Sequence, residues 1–156
     1  MEINILIDKE YKNKVKSTWL KNVARQVQKA ENVSEKSEMG LKITGDEEIH
    51  KLNLQYLDED RPTDVLSFPM NEQLEAAPVF VKVPDGKLHL GDIVISYPTA
   101  LKQAEEHNHP VNREIAILLI HGILHLLGYD HDIPARERKM HRREAAILKI
   151  IEEQGL

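Results

Sequence analysis

Residues 121–131 read "HGILHLLGYDH", and they close one of the most apolar stretches of the chain. From Ile115 to Leu127 nearly every side chain is a large aliphatic, alanine or glycine, and the polar exceptions are His121 and His125. A run of this length, with Gly128 as a natural C′ residue, predicts a helix reaching back to about Asn112. A desolvated imidazole needs a partner. His121 and His125 are four apart, so they leave one helix face a turn apart, as two ligands of one metal ion must. A reversal at Gly128 lets His131 fold back towards them. Three nitrogen ligands with open positions for water are the composition of a catalytic zinc site, whereas a closed structural site uses a fourth protein ligand. The competing reading is two hydrogen-bonded core histidines and a loop histidine. The joint spacing around a helix-ending glycine favours the metal.

Outward from this helix, the chain alternates strands and helices without a linker. "INILI" (3–7) reads as a strand, and residues 11–30, with Val15, Trp19, Val23 and Val27 at helical spacing, as a helix. "MGLKITG" (39–45) alternates like a half-buried strand; Asp46 is a candidate N-cap for a helix bearing Ile49, Leu52 and Leu57, and "DVLSF" (64–68) is a strand again. Residues 69–87 read as a long irregular excursion, with "VFVKV" a hairpin arm. "GDIVIS" (91–96) is nearly continuously apolar, the mark of an internal strand, and Pro98 opens the helix that runs from Thr99 to His107. Pro134 opens a last helix with Met140, Ala145, Ile147, Leu148 and Ile151 as its apolar positions. The expected fold is α+β: a single domain over residues 1–156, a small mixed sheet of about four strands packed with about five helices, and a zincin-like central helix carrying the metal ligands.

Composition narrows the function. The 156-residue chain is 30% charged and 41% hydrophobic, as in an ordinary globular protein. Its first residues, "MEINILIDKE", lack a basic n-region, so the expected compartment is the cytoplasm. There is no cysteine, which removes disulfides, thiolate zinc sites and cysteine nucleophiles. A net charge of -5 argues against coating nucleic acid by bulk electrostatics, so such a substrate needs a local basic patch. "RERKMHRRE" (136–144), with Arg136, Arg138, Lys139, Arg142 and Arg143, starts five residues after His131 and is either a basic rim or a solvated helix face.

The spacing H-x-x-x-H-x-x-G-x-x-H is also that of the metzincin metalloproteases, but Gly122 stands where those enzymes carry the glutamate base. A closer resemblance is to the YbeY endoribonucleases, bacterial ribosomal-RNA maturation factors with the signature H-G-x-L-H-L-x-G-Y-D-H, complete here from His121 to His131. Three further blocks follow that family in order: "LNLQYLDEDRPTDVLSFP" (52–69), "LGDIVIS" (90–96), and the run from Arg113-Glu114 into the central helix. The resemblance implies a single-strand-specific, metal-dependent endoribonuclease acting in 3′-end maturation of small-subunit ribosomal RNA and in ribosome quality control. It implies one zinc or other first-row divalent ion per chain on His121, His125 and His131. It also implies single-stranded ribosomal RNA and ribosomal or small-subunit proteins as partners. Some family members carry an active arginine directly after the tyrosine of the second block; here Leu57 follows Tyr56. Arg61 is the nearest substitute as a catalytic residue, although Asp58, Glu59 and Asp60 equally suit it to a surface ion pair.

Attack on the phosphodiester by activated water and attack by the substrate's own 2′-hydroxyl are both compatible with these residues. A metalloprotease-like hydrolase, and a non-catalytic ribosome assembly factor with a structural metal, are the alternatives. Glu114, seven before His121, is either an acceptor for that histidine or a complement to the helix dipole. Asp130 and Asp132 either orient His131 or shape the turn, and Met140 is either core or a floor beneath the metal. Asp92 carries no role. "HNHP" (107–110) has the spacing of a second site but reads better as a solvated loop, and His50, His89 and His141 read as surface.

Overall fold

The computed structural model describes residues 1–70 and 87–155, which leaves the expected "VFVKV" hairpin arm outside the described residues. Four strands form one mixed sheet: β1 (Glu2–Ile7), β2 (Ser37–Thr44), β3 (Val65–Pro69) and β4 (Leu88–Ser96). Their spatial order is β1-β2-β4-β3, with β1, β2 and β4 parallel and β3 antiparallel to β4. Five α-helices accompany them among the described residues: α1 (Ser17–Ala30), α2 (Asp46–Leu57), α3 (Tyr97–Glu106), α4 (Val111–Leu126) and α5 (Pro134–Glu153). The α+β architecture expected from the alternation is the one found.

β4 explains why its sequence is so apolar. Ile93 and Ile95 enter the main core with α1, α4 and α5, while the intervening Val94 joins Ile49 of α2 and Leu66 of β3 in a smaller cluster. Because successive side chains point to opposite faces, a strand covered on both sides needs apolar residues at every step. Complete burial of Ile93, Ile95, Ile115, Leu119, Ile120, Ile123 and Leu124 marks the seam between the sheet and α4. Each such side chain contributes on the order of 1.5–3 kcal/mol by leaving water. Among the described residues, no helix is long and apolar enough to cross a membrane.

Three local expectations shift. The first helix begins at Ser17, after a 3-10 turn at Lys9–Tyr11; Val15 is buried in the connection. Asp46 does not cap α2, because Gly45 holds the N-cap position. Its carboxylate instead accepts from the Ser96 and Thr99 hydroxyls, tying α2 to the start of α3. Ala145 is exposed, whereas Met140, Ile147 and Ile151 form the buried stripe of α5.

Candidate metal centre

α4 ends in a Schellman motif, and that motif builds the site. The Tyr129 amide donates to the Leu124 carbonyl at 3.0 Å and the Gly128 amide to the His125 carbonyl at 3.0 Å, with Gly128 at φ +100°. Space around Gly128 is open, so its positive φ alone demands glycine. The chain turns back, and His131 arrives beside the two helical histidines. Ring centroids lie 4.6 Å apart for His121 and His125, 5.1 Å for His125 and His131, and 6.0 Å for His121 and His131. One ring nitrogen from each lies within 4.8 Å of the others. Ligands held about 2.1 Å from a tetrahedral ion stand roughly 3.4 Å apart, so the three nitrogens are near ligating separation and need only small rotations.

The electrostatics at His125 suit a ligand to a cation. Desolvation pushes the His125 pKa below its usual value; the neighbouring His121 and His131 rings add to this, opposed by a hydrogen bond to the Tyr129 backbone and by Asp130. The group therefore keeps the lone pair a metal requires. The site also lies at the C-terminal end of α4, where the helix dipole favours positive charge. His121 Nδ1 lies 3.0 Å from Glu144 Oε1 on α5, leaving Nε2 as the atom free to ligate. These donors fit a divalent ion.

Glu144 is the functional residue that sequence reasoning missed. It sits 23 positions from His121 on another helix, and no local spacing could have signalled it. Of the two roles open to Glu114, that of acceptor for His121 is not the one found: it sits in the first turn of α4, and its buried Oε2 lies 2.6 Å from His109 Nε2 and 3.4 Å from His107 Nδ1. His107, Asn108 and Pro110 are exposed, so "HNHP" is the solvated loop expected except at His109, which is only 12% exposed and turns inward to Glu114. Asp130 and Asp132 serve the turn, accepting from the His131 and Ile133 amides at 2.7 and 3.1 Å. His89 is half-buried and ion-paired with Glu38, and His50 lies 2.7 Å from Asp60. His141 is exposed, as expected.

The basic stretch divides. Arg143 turns inward: its Nε donates to Glu31 Oε1 at 2.8 Å and an Nη to the Ala30 carbonyl, while the Tyr129 hydroxyl donates to Glu31 Oε2 at 3.0 Å. That pair anchors the ligand loop to the end of α1. Arg136 pairs with Asp132, and Lys139 lies 5.6 Å over the Tyr129 ring; Arg138 and Arg142 are exposed. Arg61 is exposed too, with its guanidinium 3.4 Å from Glu59 Oε2.

Gly122 packs closely on the sheet: a Cβ there would lie 3.0 Å from both Ile93 Cδ1 and Cγ2, so α4 and β4 approach tightly at this point. The glutamate that metzincins carry beside the first histidine is absent from this helix.

Comparison with known proteins agrees with the signature. A family model described as "Endoribonuclease YbeY" matches residues 3–152. A protein of that name from Dehalococcoides mccartyi (strain ATCC BAA-2266) is 46% identical, the match covering 98% of this chain and 91% of its own length. One from Chloroflexus aurantiacus (strain J-10-fl) is 44% identical over 86% of each chain. The solution structure of a Thermotoga maritima protein superposes with a TM-score of 0.63 at 25% identity, covering 97% of this chain and 90% of that one. With the family match running through nearly every element that shapes the histidine cluster, the chain belongs to the YbeY endoribonuclease family.

Proposed function

We propose that this chain is a metal-dependent endoribonuclease, one domain over residues 1–156, which cuts single-stranded ribosomal RNA in the cytoplasm during 3′-end maturation of the small subunit and in ribosome quality control. The observation that carries the reading is the convergence of three imidazoles at the end of α4, in a chain of the YbeY family. His121, His125 and His131 hold one ion, zinc by the preference of all-nitrogen ligation. A dication held by these three residues would supply Lewis-acid chemistry, activating water and offsetting charge that develops on the phosphoryl oxygens. Glu144 fixes the His121 tautomer, and the Tyr129–Glu31–Arg143 linkage holds the loop that delivers His131. The exposed Arg61 guanidinium, in a surface ion pair with Glu59, is available to contact a phosphate. Arg138, Lys139 and Arg142 on the outer face of α5 supply a basic rim, and ribosomal proteins supply much of the specificity.

The test compares cleavage of a structured ribosomal-RNA fragment and of unfolded casein by metal-quantified wild type and His125→Ala, with zinc and with chelator. RNA cut in single-stranded regions by the metallated wild type alone is the expected result. Cleaved casein would move the activity to peptide bonds, and cleavage of neither would leave a metal-bearing assembly factor. Product ends decide the nucleophile: a 2′,3′-cyclic phosphate opposite a 5′-hydroxyl identifies the substrate's 2′-hydroxyl, whereas a 3′-hydroxyl opposite a 5′-phosphate identifies water.

A further inference from the structure

A second cluster of potential ligands stands at the opposite end of α4. His107 closes α3, His109 lies in the connection, and Glu114 occupies the first turn of α4; one ligand atom from each lies within 4.8 Å of the others. Exposure grades across the three, with side chains 60%, 12% and 5% exposed, so the cluster has a buried carboxylate at its base and an open imidazole at its mouth. Both imidazoles address the same oxygen, Glu114 Oε2. The 3.4 Å from His107 Nδ1 is long for a hydrogen bond but matches the spacing of two ligands on one tetrahedral ion, whereas the 2.6 Å from His109 Nε2 is a direct hydrogen bond that must open to admit the ion. The cluster opens into a groove of about 370 Å³ that Asp64, Glu106 and Glu144 also line and that extends to His121. We propose that His107, His109 and Glu114 form a second divalent-cation site, of the two-histidine, one-carboxylate type that suits zinc.

Two features make this site weaker than the first. It lies at the N-terminal end of α4, where the helix dipole opposes a cation. Arg113 Nη1 also lies 3.0 Å from His109 Nδ1, which selects the tautomer with hydrogen on Nε2. Binding requires that contact to release; the Arg113 Nε already has Glu152 Oε1 at 2.6 Å as an alternative hold. Glu114 and His121 are seven residues apart, about 10 Å along the axis. That exceeds the roughly 4 Å of a two-metal catalytic centre. The second ion therefore neutralises the carboxylate-lined groove for a flanking phosphate and does not act on the bond being cut. This role rests on the RNA-cleaving reading; the binding itself does not.

Apo protein titrated with zinc chloride, with bound metal counted after gel filtration, tests the site. Two ions per chain in wild type, one in His107→Ala, one in His125→Ala and none in the double variant are expected. His50→Ala, outside both clusters, should keep two, and Arg113→Gln should tighten the weaker site. One ion in wild type, unchanged by His107→Ala, overturns the proposal, as does loss of the second ion in His50→Ala. Two ions in His125→Ala with one in His107→Ala would sink the first-site reading and leave this one standing. Circular dichroism on every variant separates lost ligands from lost fold.

Discussion

Removal of the Glu144 carboxylate is the sharpest test of how the metal centre is held. Its Oε1 lies 3.0 Å from His121 Nδ1, and no other acceptor for that nitrogen is recorded among the described residues. A carboxylate behind a ligating imidazole fixes the tautomer and raises ligand basicity, and its loss costs about 10–100-fold in metal affinity. The two side chains are 20% and 30% exposed, so water can partly replace the lost acceptor and the lower part of that range applies. Glu144→Ala should weaken zinc binding by about 10–30-fold, or roughly 1.4–2 kcal/mol. Glu144→Gln should lose less, because its amide carbonyl still accepts from Nδ1–H. The assay is competition against a chromophoric chelator, run in the His107→Ala background so that one site is counted, with metal-free melting as the control for fold. Zinc affinities within twofold of the parent for both variants, while His121→Ala abolishes binding, would refute the arrangement.

Gly122→Ala sets a helix-propensity gain of about 1 kcal/mol against overpacking of about 1–3 kcal/mol, because its Cβ meets the wholly buried Ile93 at 3.0 Å. A net loss near 1 kcal/mol and a Tm lower by about 2–4 °C are expected in a chain of this size; adding Ile93→Val, which deletes one contacting carbon, should recover most of it, and a higher Tm in the single variant would contradict the close helix–sheet approach. Gly128→Ala should cost about 1 kcal/mol through its positive φ alone, and should weaken zinc binding by misdirecting His131; an unchanged metal affinity would mean that the loop reaches the site without the motif. The Tyr129 hydroxyl has its pKa raised, first by burial and then by its hydrogen bond to Glu31. The stability it supplies is present below the ordinary tyrosine pKa of about 10 and lost as pH rises through the raised value. Denaturant melts across alkaline pH should therefore show a flatter decline for Tyr129→Phe than for wild type. Glu48 behaves in the opposite sense: hydrogen bonds from Lys42 and Thr44 hold its pKa low, so its contribution is present above about pH 4.5 and fades as pH falls through the lowered value. Urea melts of Glu48→Gln should lose part of the acid-limb slope.

Periodicity carried the architecture because the strongest periodic signals belong to the most buried elements. The apolar face of α4 and the unbroken run in β4 record the seam where helix and sheet meet, and both were legible to within a few residues. The three histidines were legible for a related reason, since a helix turn and a glycine reversal are local geometry written into adjacent residues. What escaped depends on chain segments meeting from afar. Glu144 reaches His121 across 23 positions, and Glu31 reaches Tyr129 across 98. Glu114 stayed undecided between two roles because seven residues before His121 places it on the same helix face but two turns away, where it sits in the first turn and within reach of a different pair of histidines. Asp46 misled for a similar reason, its carboxylate being drawn to hydroxyls at the start of α3 and away from its own helix.

The setting of α4 has a consequence for how the site comes apart. This helix touches α1, α3, α5, β3 and β4, so its amides should exchange with solvent deuterium only through near-global opening. His131 and both its neighbours are exposed, beyond the point where Tyr129 is anchored to Glu31, and should exchange through local fluctuations. Two of the three histidines thus ride on the last unit to open and the third on one of the first. An ion held by these three histidines would tie together parts of unequal local stability and slow exchange in the loop far more than in the helix, and its release would begin at His131 while the rest of the chain stays folded.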